Sequence, residues 1–308
     1  MTADRREIDP RLVPELFAPS SQTVASAPPY WSITRRAGVG ADPSTVTTTA
    51  VSTVYADPIQ YPDGVSIEDL PTLFAGDQVL VRREIYGPVS EWAVAFLIRV
   101  ATHTRRDKRP SVVNHVATVV RPIYETESIL DDGRFVHFGP VVDYLIAEAL
   151  GKGGFQYRRL IGSYGDPRKY SIAITRHKLA TGDHRAKMLS AVGSLIGREY
   201  GYLKIGAHVL DYALTKIWNL AGARSDVYAF RWLCRMERYP MCSWSSLYVY
   251  RKAGLPFSTP LETGSPDDLY DEMRRKAESI WLWLYVSPAI RDEVFGDGYG
   301  GELGRRLI

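Results

Sequence analysis

The chain lacks the marks of several familiar classes. It has only two cysteines in 308 residues, so no disulfide framework can form. Cys234 and Cys242 stand eight positions apart, which is neither a CxxC redox motif nor a zinc spacing. Two reduced thiols fit a reducing compartment. The longest apolar run, "WAVAFLI" at 92–98, falls far short of the roughly 20 residues that a membrane helix needs. The N-terminus, "MTADRREIDP", is charged and has no apolar core, so no secretory signal and a cytoplasmic synthesis are expected. A net charge of +3 is too small to argue for nucleic acid. No HExxH occurs, and "GKGG" at 151 lacks the Walker spacing and its Lys–Ser/Thr ending. His115, His137 and Glu148 match no common metal site. Neither a metal nor a cofactor is expected, and no internal repeat is present.

What remains is an ordinary globular composition, 45% hydrophobic and 24% charged, long enough for a sizeable core. Residues 1–70 differ from the rest. "PSSQTVASAPPYWS" and "STVTTTAVSTVY" are rich in Ser, Thr, Pro and Ala and lack helical periodicity. They read as an extended arm, with the second stretch prone to form a strand. From Leu73 the pattern tightens. "DQVLVRRE" follows a Gly-Asp turn and reads as a strand. "VSEWAVAFLIRVATHT" reads as a helix with Ser90 at its N-cap, followed by the basic cluster "RRDKRP". "SVVNHVATVVRPIY" reads as a strand. A hairpin is expected at Asp131-Asp132-Gly133, with its return strand ending near Glu148. "KYSIAITRH" is a further strand. Helices are expected in "TGDHRAKMLSAVGSLIGREYGY", "AHVLDYALTKIWNLAG", "CSWSSLYVYRKAG" and "SPDDLYDEMRRKAESIWLWLY", ahead of a Gly-rich tail. Strands in the middle with helices around them predict an α+β fold rather than a βαβ alternation.

"MCSWSSLYVYRKAG" at 241–254 carries the chemical question. Cys242 opens an apolar-patterned run that stops at Gly254. It is either a buried core residue or a nucleophile at a helix start. A thiol attacks as the thiolate. The positive end of a helix favours that anion, a nearby imidazole can take the proton, and a third polar group can orient the imidazole. Free N–H groups of the first turn could also stabilise an oxyanion. Six histidines are available. His115 lies inside an apolar strand and is the most restrained. His103 sits in the basic loop, His137 beside the hairpin, His177 and His184 before a helix, and His208 at a helix start. Glu148, in "LIAEALGKGG", taken alone reads as a strand-end carboxylate at the surface.

The ordered series "GDQVLV", "NHVATVV", "LIAEALGKGG", "SIAITRH" with "HRAKMLSAVGSLIGREYGYLKI", "MCSWSSLYVYRKAGLPF" and "SPDDLY" resembles the permuted NlpC-type papain-fold cysteine hydrolases, in their YiiX-like branch. Lecithin–retinol acyltransferases are more distant relatives. The resemblance covers about residues 73–272. It implies a circularly permuted papain-like domain at 71–272, with a small antiparallel sheet packed on helices and insertions near 124–140 and 205–240. An N-terminal arm at 1–70 and a C-terminal helical extension with the Gly-rich tail at 273–308 would flank it. It implies Cys242 as nucleophile, His115 as general base and then acid, and Glu148 as the residue that orients the imidazole. Tyr202, Ser243 and Trp244 would lie on the substrate side, Trp244 where the family often has an acid.

The function implied is cysteine-dependent hydrolysis of an amide through a thioacyl-enzyme, in a peptidoglycan peptide or an N-acyl amide. Two other readings stand beside it. One is a structural or attachment protein retaining the fold, such as a bacteriophage virion or tail component with assembly partners on its N-terminal arm. The other is an acyltransferase or thioesterase acting on a lipid-like acyl group. A virion would also carry a cell-wall enzyme that has no signal peptide to its target.

Overall fold

A computed structural model describes residues 7–8, 32–35, 51–54, 61, 63–86, 112–129, 135–151, 153–220, 229, 239–261, 264–277 and 279–295. The helix expected at 89–104 with Ser90, the basic cluster, His103, the hairpin tip at 131–133, Cys234 and the Gly-rich tail lie outside them.

Nine strands among the described residues form one open, antiparallel sheet. They are β1 (Glu7–Ile8), β2 (Ser32–Arg35), β3 (Val51–Val54), β4 (Gln78–Arg83), β5 (His115–Ile129), β6 (Phe135–Leu150), β7 (Gly154–Arg159), β8 (Tyr170–His177) and β9 (Trp281–Val286). Six follow one another across the sheet in the order β1-β6-β5-β4-β8-β9, while β7 pairs with β6 and β3 with β5. The helices are α1 (Leu160–Tyr164), α2 (Gly182–Gly193), α3 (Tyr202–Leu220), α4 (Cys242–Ala253), α5 (Pro266–Arg275) and α6 (Pro288–Phe295). The fold is mixed α+β, with the sheet packed against helices.

Alternation along the strands divides the core. Leu80, Val116, Val120, Ala147 and Ala173 face residues of α2, α4, α5 and α6. Their neighbours Val79, Val81, Ala117, Val119, Ile146 and Ile174 face Leu70, Leu73 and α1. Both faces are therefore covered, which explains why "QVLVRR" is buried along its whole length.

The Gly-Asp turn before β4 ties these layers together. Gly76 takes φ +89°, and a Cβ there would meet Met188 Sδ of α2 at 2.3 Å, so only glycine fits. Its N–H donates to Val119 O, and Asp77 O accepts from Val119 N. The buried Asp77 carboxylate accepts from Arg176 Nη2 at 2.6 Å and from Phe74 N at 2.8 Å. Arg176 and Arg185 both lie over the Phe74 ring.

The expected hairpin is present and long. β5 and β6 pair from Thr118↔Ala147 out to Ile129↔Phe135, with register shifts along the way. Strands from the N-terminal region pair with its far half: β3 with Thr126–Ile129 and β1 with Phe135 and Val136. Two helical expectations change. The helix that starts at 182 ends at Gly193, and Tyr200 lies beyond it. "WLWLYV" is a strand paired with β8, not the end of a helix. Residues 281–286 thus complete the sheet, where a helical extension was expected. Trp281 and Trp283 are buried while Leu282 is exposed, a two-residue period that a strand satisfies and a helix does not.

Candidate active site

Cys242 is the first residue of α4. Met241 precedes it in an extended conformation and provides no side-chain cap. Ser245 N is the first amide of the helix to close a backbone bond, to Met241 O at 2.8 Å. The first turn therefore presents its amide donors and positive dipole end at the sulfur. At the other end Gly254 takes φ +83°, and its N–H closes the helix on Arg251 O and Tyr250 O, a left-handed cap that favours glycine. Ten residues of α4 are buried. The helix packs on β5 and β6, which fixes the thiol against the sheet.

His115 is the first residue of β5 and Glu148 lies near the end of β6. The two strands are neighbours, and the side chains meet. His115 Nε2 lies 2.6 Å from Glu148 Oε2. The Cys242 side chain is close enough to act on the same imidazole, by charge and by hydrogen bonding, and raises it. With Nε2 engaged by Glu148, Nδ1 is the ring nitrogen left for sulfur. Three residues far apart in the sequence thus form one contiguous array.

Tyr164, at the end of α1, donates its hydroxyl to the same Glu148 Oε2. Arg158 Nη1 of β7 approaches Glu148 Oε1 at 3.6 Å. Glu148 is fully buried. It is not the surface carboxylate that its local sequence suggests, because β7 covers it by pairing Gln156 against it.

The electrostatics follow from these contacts. Burial alone would raise the Glu148 carboxyl, but the bond and charge of His115, with Arg158 and Tyr164, outweigh it and hold Glu148 below the ordinary carboxylate value. Burial pulls the His115 imidazole down. The charge and hydrogen bond of Cys242, then those of Glu148, overcome this and push His115 up to about 10. The ring edge remains 16% exposed, so solvent reaches it. Tyr164 is raised well above 10 by burial and then by Glu148, which keeps it a hydroxyl donor.

Of the three residues expected on the substrate side, two are buried and one is exposed. Ser243 is fully buried and donates to Gly264 O at 2.8 Å. Trp244 is buried in the core, stacked on Tyr248 at 5.0 Å, with Lys204 Nζ 3.8 Å from its ring centroid. Both follow Cys242 in a helix whose sides are enclosed, so neither presents a free surface to a substrate. Tyr202 is exposed. Its ring lies edge-on to Tyr200 at 5.0 Å. Burial raises the Tyr200 phenol first, and the Cys242 charge raises it further.

Three further histidines among the described residues serve other contacts. His137 is buried and stacked on Tyr124 at 3.7 Å. His177 packs edge-on to Trp281. His184 closes the capping box of α2 with Thr181. Among the described residues no three His, Cys, Asp or Glu side chains are grouped to hold a metal, and no helix is long and apolar enough to cross a membrane.

Sequence reasoning missed Tyr164, Arg158 and Tyr200. Tyr200 had a signal, as the first tyrosine of "YGY". Tyr164 and Arg158 had none, because their approach to Glu148 depends on the turn between β6 and β7. Comparison with family models, with curated proteins and with solved structures returns no match.

Proposed function

We propose that the protein is a cysteine hydrolase of the amidase/peptidase type, built on a circularly permuted papain-like domain. One observation carries the reading: the Cys242 thiol, at an uncapped helix N-terminus, acts electrostatically on an imidazole whose Nε2 is held by a buried carboxylate. Cys242 attacks the carbonyl carbon as the thiolate, and the tetrahedral oxyanion is met by amide N–H groups of the first turn of α4. His115, protonated by the thiol, delivers that proton to the leaving amine. Water then attacks the thioacyl-enzyme with His115 as general base, releasing the acid and restoring the thiol. Glu148 holds the imidazolium in place throughout. A peptidoglycan peptide or an N-acyl amide is the substrate class proposed, and the resemblance of the six sequence blocks is its support.

The test is the pH dependence of iodoacetamide alkylation at Cys242. Cys234 serves as internal reference and His115→Ala as comparator. Cys242 is expected to label at about pH 6.5 well ahead of an ordinary thiol, and to lose that advantage in His115→Ala. Labelling no faster than a free thiol, and unchanged by the substitution, refutes the reading and leaves the attachment role. For that role, pairing of N-terminal strands with the far half of the β5–β6 hairpin is the favouring observation.

A further inference from the structure

Among its described side chains, helix α3 buries charged and polar groups and exposes large apolar ones. A surface helix normally buries its apolar stripe and exposes its polar one. Among the described side chains of α3, Lys204, Ala207, Asp211 and Thr215 are buried, with Lys204 Nζ over the Trp244 ring of α4. The opposite side is apolar and open to solvent. Leu203, Gly206, Leu210, Ala213, Ile217 and Leu220 are all exposed, Ile217 at 63% and Leu220 at 88%. Tyr202 and Val209 widen the same face.

The spacing of those six positions alternates three and four over the whole helix, which is the seam of a helix–helix contact. Their sizes specify the partner's direction. In a parallel pairing with a second copy, Gly206 would face Gly206 and Ala213 would face Ala213, leaving voids in two layers. In the antiparallel pairing each small residue meets a large one. Gly206 lies against the second copy's Ile217, Leu210 against its Ala213, and Leu203 against its Leu220. The face is therefore complementary to itself about a two-fold axis, as an isologous dimer requires. A helix about 28 Å long and about 10 Å across projects a face of about 280 Å² per copy. The paired face is small, below the roughly 1,000 Å² of a firm specific interface, so the contact is a weak one.

We propose that two copies of this protein pair through α3 in antiparallel register. The pairing is reversible and of micromolar strength, at the weak end of specific association. It does not depend on the chemistry assigned to Cys242.

The test is sedimentation equilibrium of the full chain from about 1 to 100 μM, with Ile217→Glu as the variant. The wild type is expected to shift from monomer to dimer over this range. Ile217→Glu buries a charge in the seam and is expected to weaken the dimer at least ~100-fold. Its helical circular dichroism and Cys242 labelling rate should stay unchanged. Register is read by disulfide trapping in a Cys234→Ser/Cys242→Ser background. The double variant Gly206→Cys/Ile217→Cys should give a covalent dimer, because positions about 16 Å apart on one helix cannot bond to each other. Gly206→Cys alone should not. A Cβ at Gly206 meets nothing within 4 Å, so the substitution is sterically free. A wild type monomeric at 100 μM overturns the proposal. So does a dimer that survives Ile217→Glu, or trapping by Gly206→Cys alone. Vesicle binding by a monomeric wild type, lost in Ile217→Glu, also overturns it and assigns the face to a lipid surface.

Discussion

At the residue scale the site is a chain of protonic contacts running from Cys242 through His115 and Glu148 to Tyr164. Two of its members set opposite limits on stability. Glu148 is held below its ordinary value of 4.5, so its contribution is full above that value and is lost as pH falls through the folded one. His115 is raised from 6.5 to about 10, so its contribution is full below 6.5 and is lost as pH rises through about 10. Tyr164→Phe removes a donor from Glu148 Oε2 and nothing from His115. The variant is expected to lose about 1–2 kcal/mol at neutral pH. The acid edge of its stability profile should move to higher pH, with the alkaline edge unmoved. Urea unfolding midpoints from pH 3 to 11 check this, and a uniform drop with both edges in place would mean that Tyr164 only fills space. His115 and Cys242 were legible as residue types in suitable local settings. Glu148 was legible only through the order of the sequence blocks, because its burial comes from a strand that begins after a turn. Ser243 and Trp244 show the reverse. Standing next to Cys242 in sequence does not mean sharing its surroundings, since successive helical residues point about 100° apart.

At the element scale, α4 is specified at both ends, and the two ends do different work. Its C-terminus carries the usual stop, Gly254 at φ +83° followed by Pro256. Its N-terminus is left uncapped, which weakens the helix locally and leaves the amides of the first turn facing the sulfur. Gly254→Ala tests this division. A Cβ there meets nothing within 4 Å, so the cost is conformational alone, about 1–2 kcal/mol. The thermal midpoint should fall, while the ratio of Cys242 to Cys234 alkylation stays at the wild-type value. A large fall in that ratio would show the two ends of the helix to be coupled. The stop signal was readable in advance, as was the acidic first turn of α5, which forms a Ser265–Asp268 capping box. The strand "WLWLYV" was misread because apolar residues at every position carry no clear period until burial separates Trp281 and Trp283 from Leu282.

At the scale of the whole molecule, the sheet joins two regions with different contents. One holds α4, His115, Glu148 and the Asp77 hub. The other is the far half of the β5–β6 hairpin, from Thr126↔Phe138 outward, to which β3 and β1 add. His115 and Glu148 lie at the opposite end of those strands, ten or more residues from this pairing. A β ladder transmits little when broken at its edge, because each bond is local and the core beneath the site is built from other strands. Thr53 pairs with Glu127 in the middle of β3, and proline there removes a donor and forbids the ladder geometry. Thr53→Pro is therefore expected to speed amide hydrogen exchange at residues 126–129 by about ten-fold or more. Exchange at 115–120 and the alkylation rate of Cys242 should be unchanged. If the alkylation rate also fell, the N-terminal strands would be part of the body that holds Cys242. An unchanged rate makes them a separable layer, free to serve attachment without touching the chemistry.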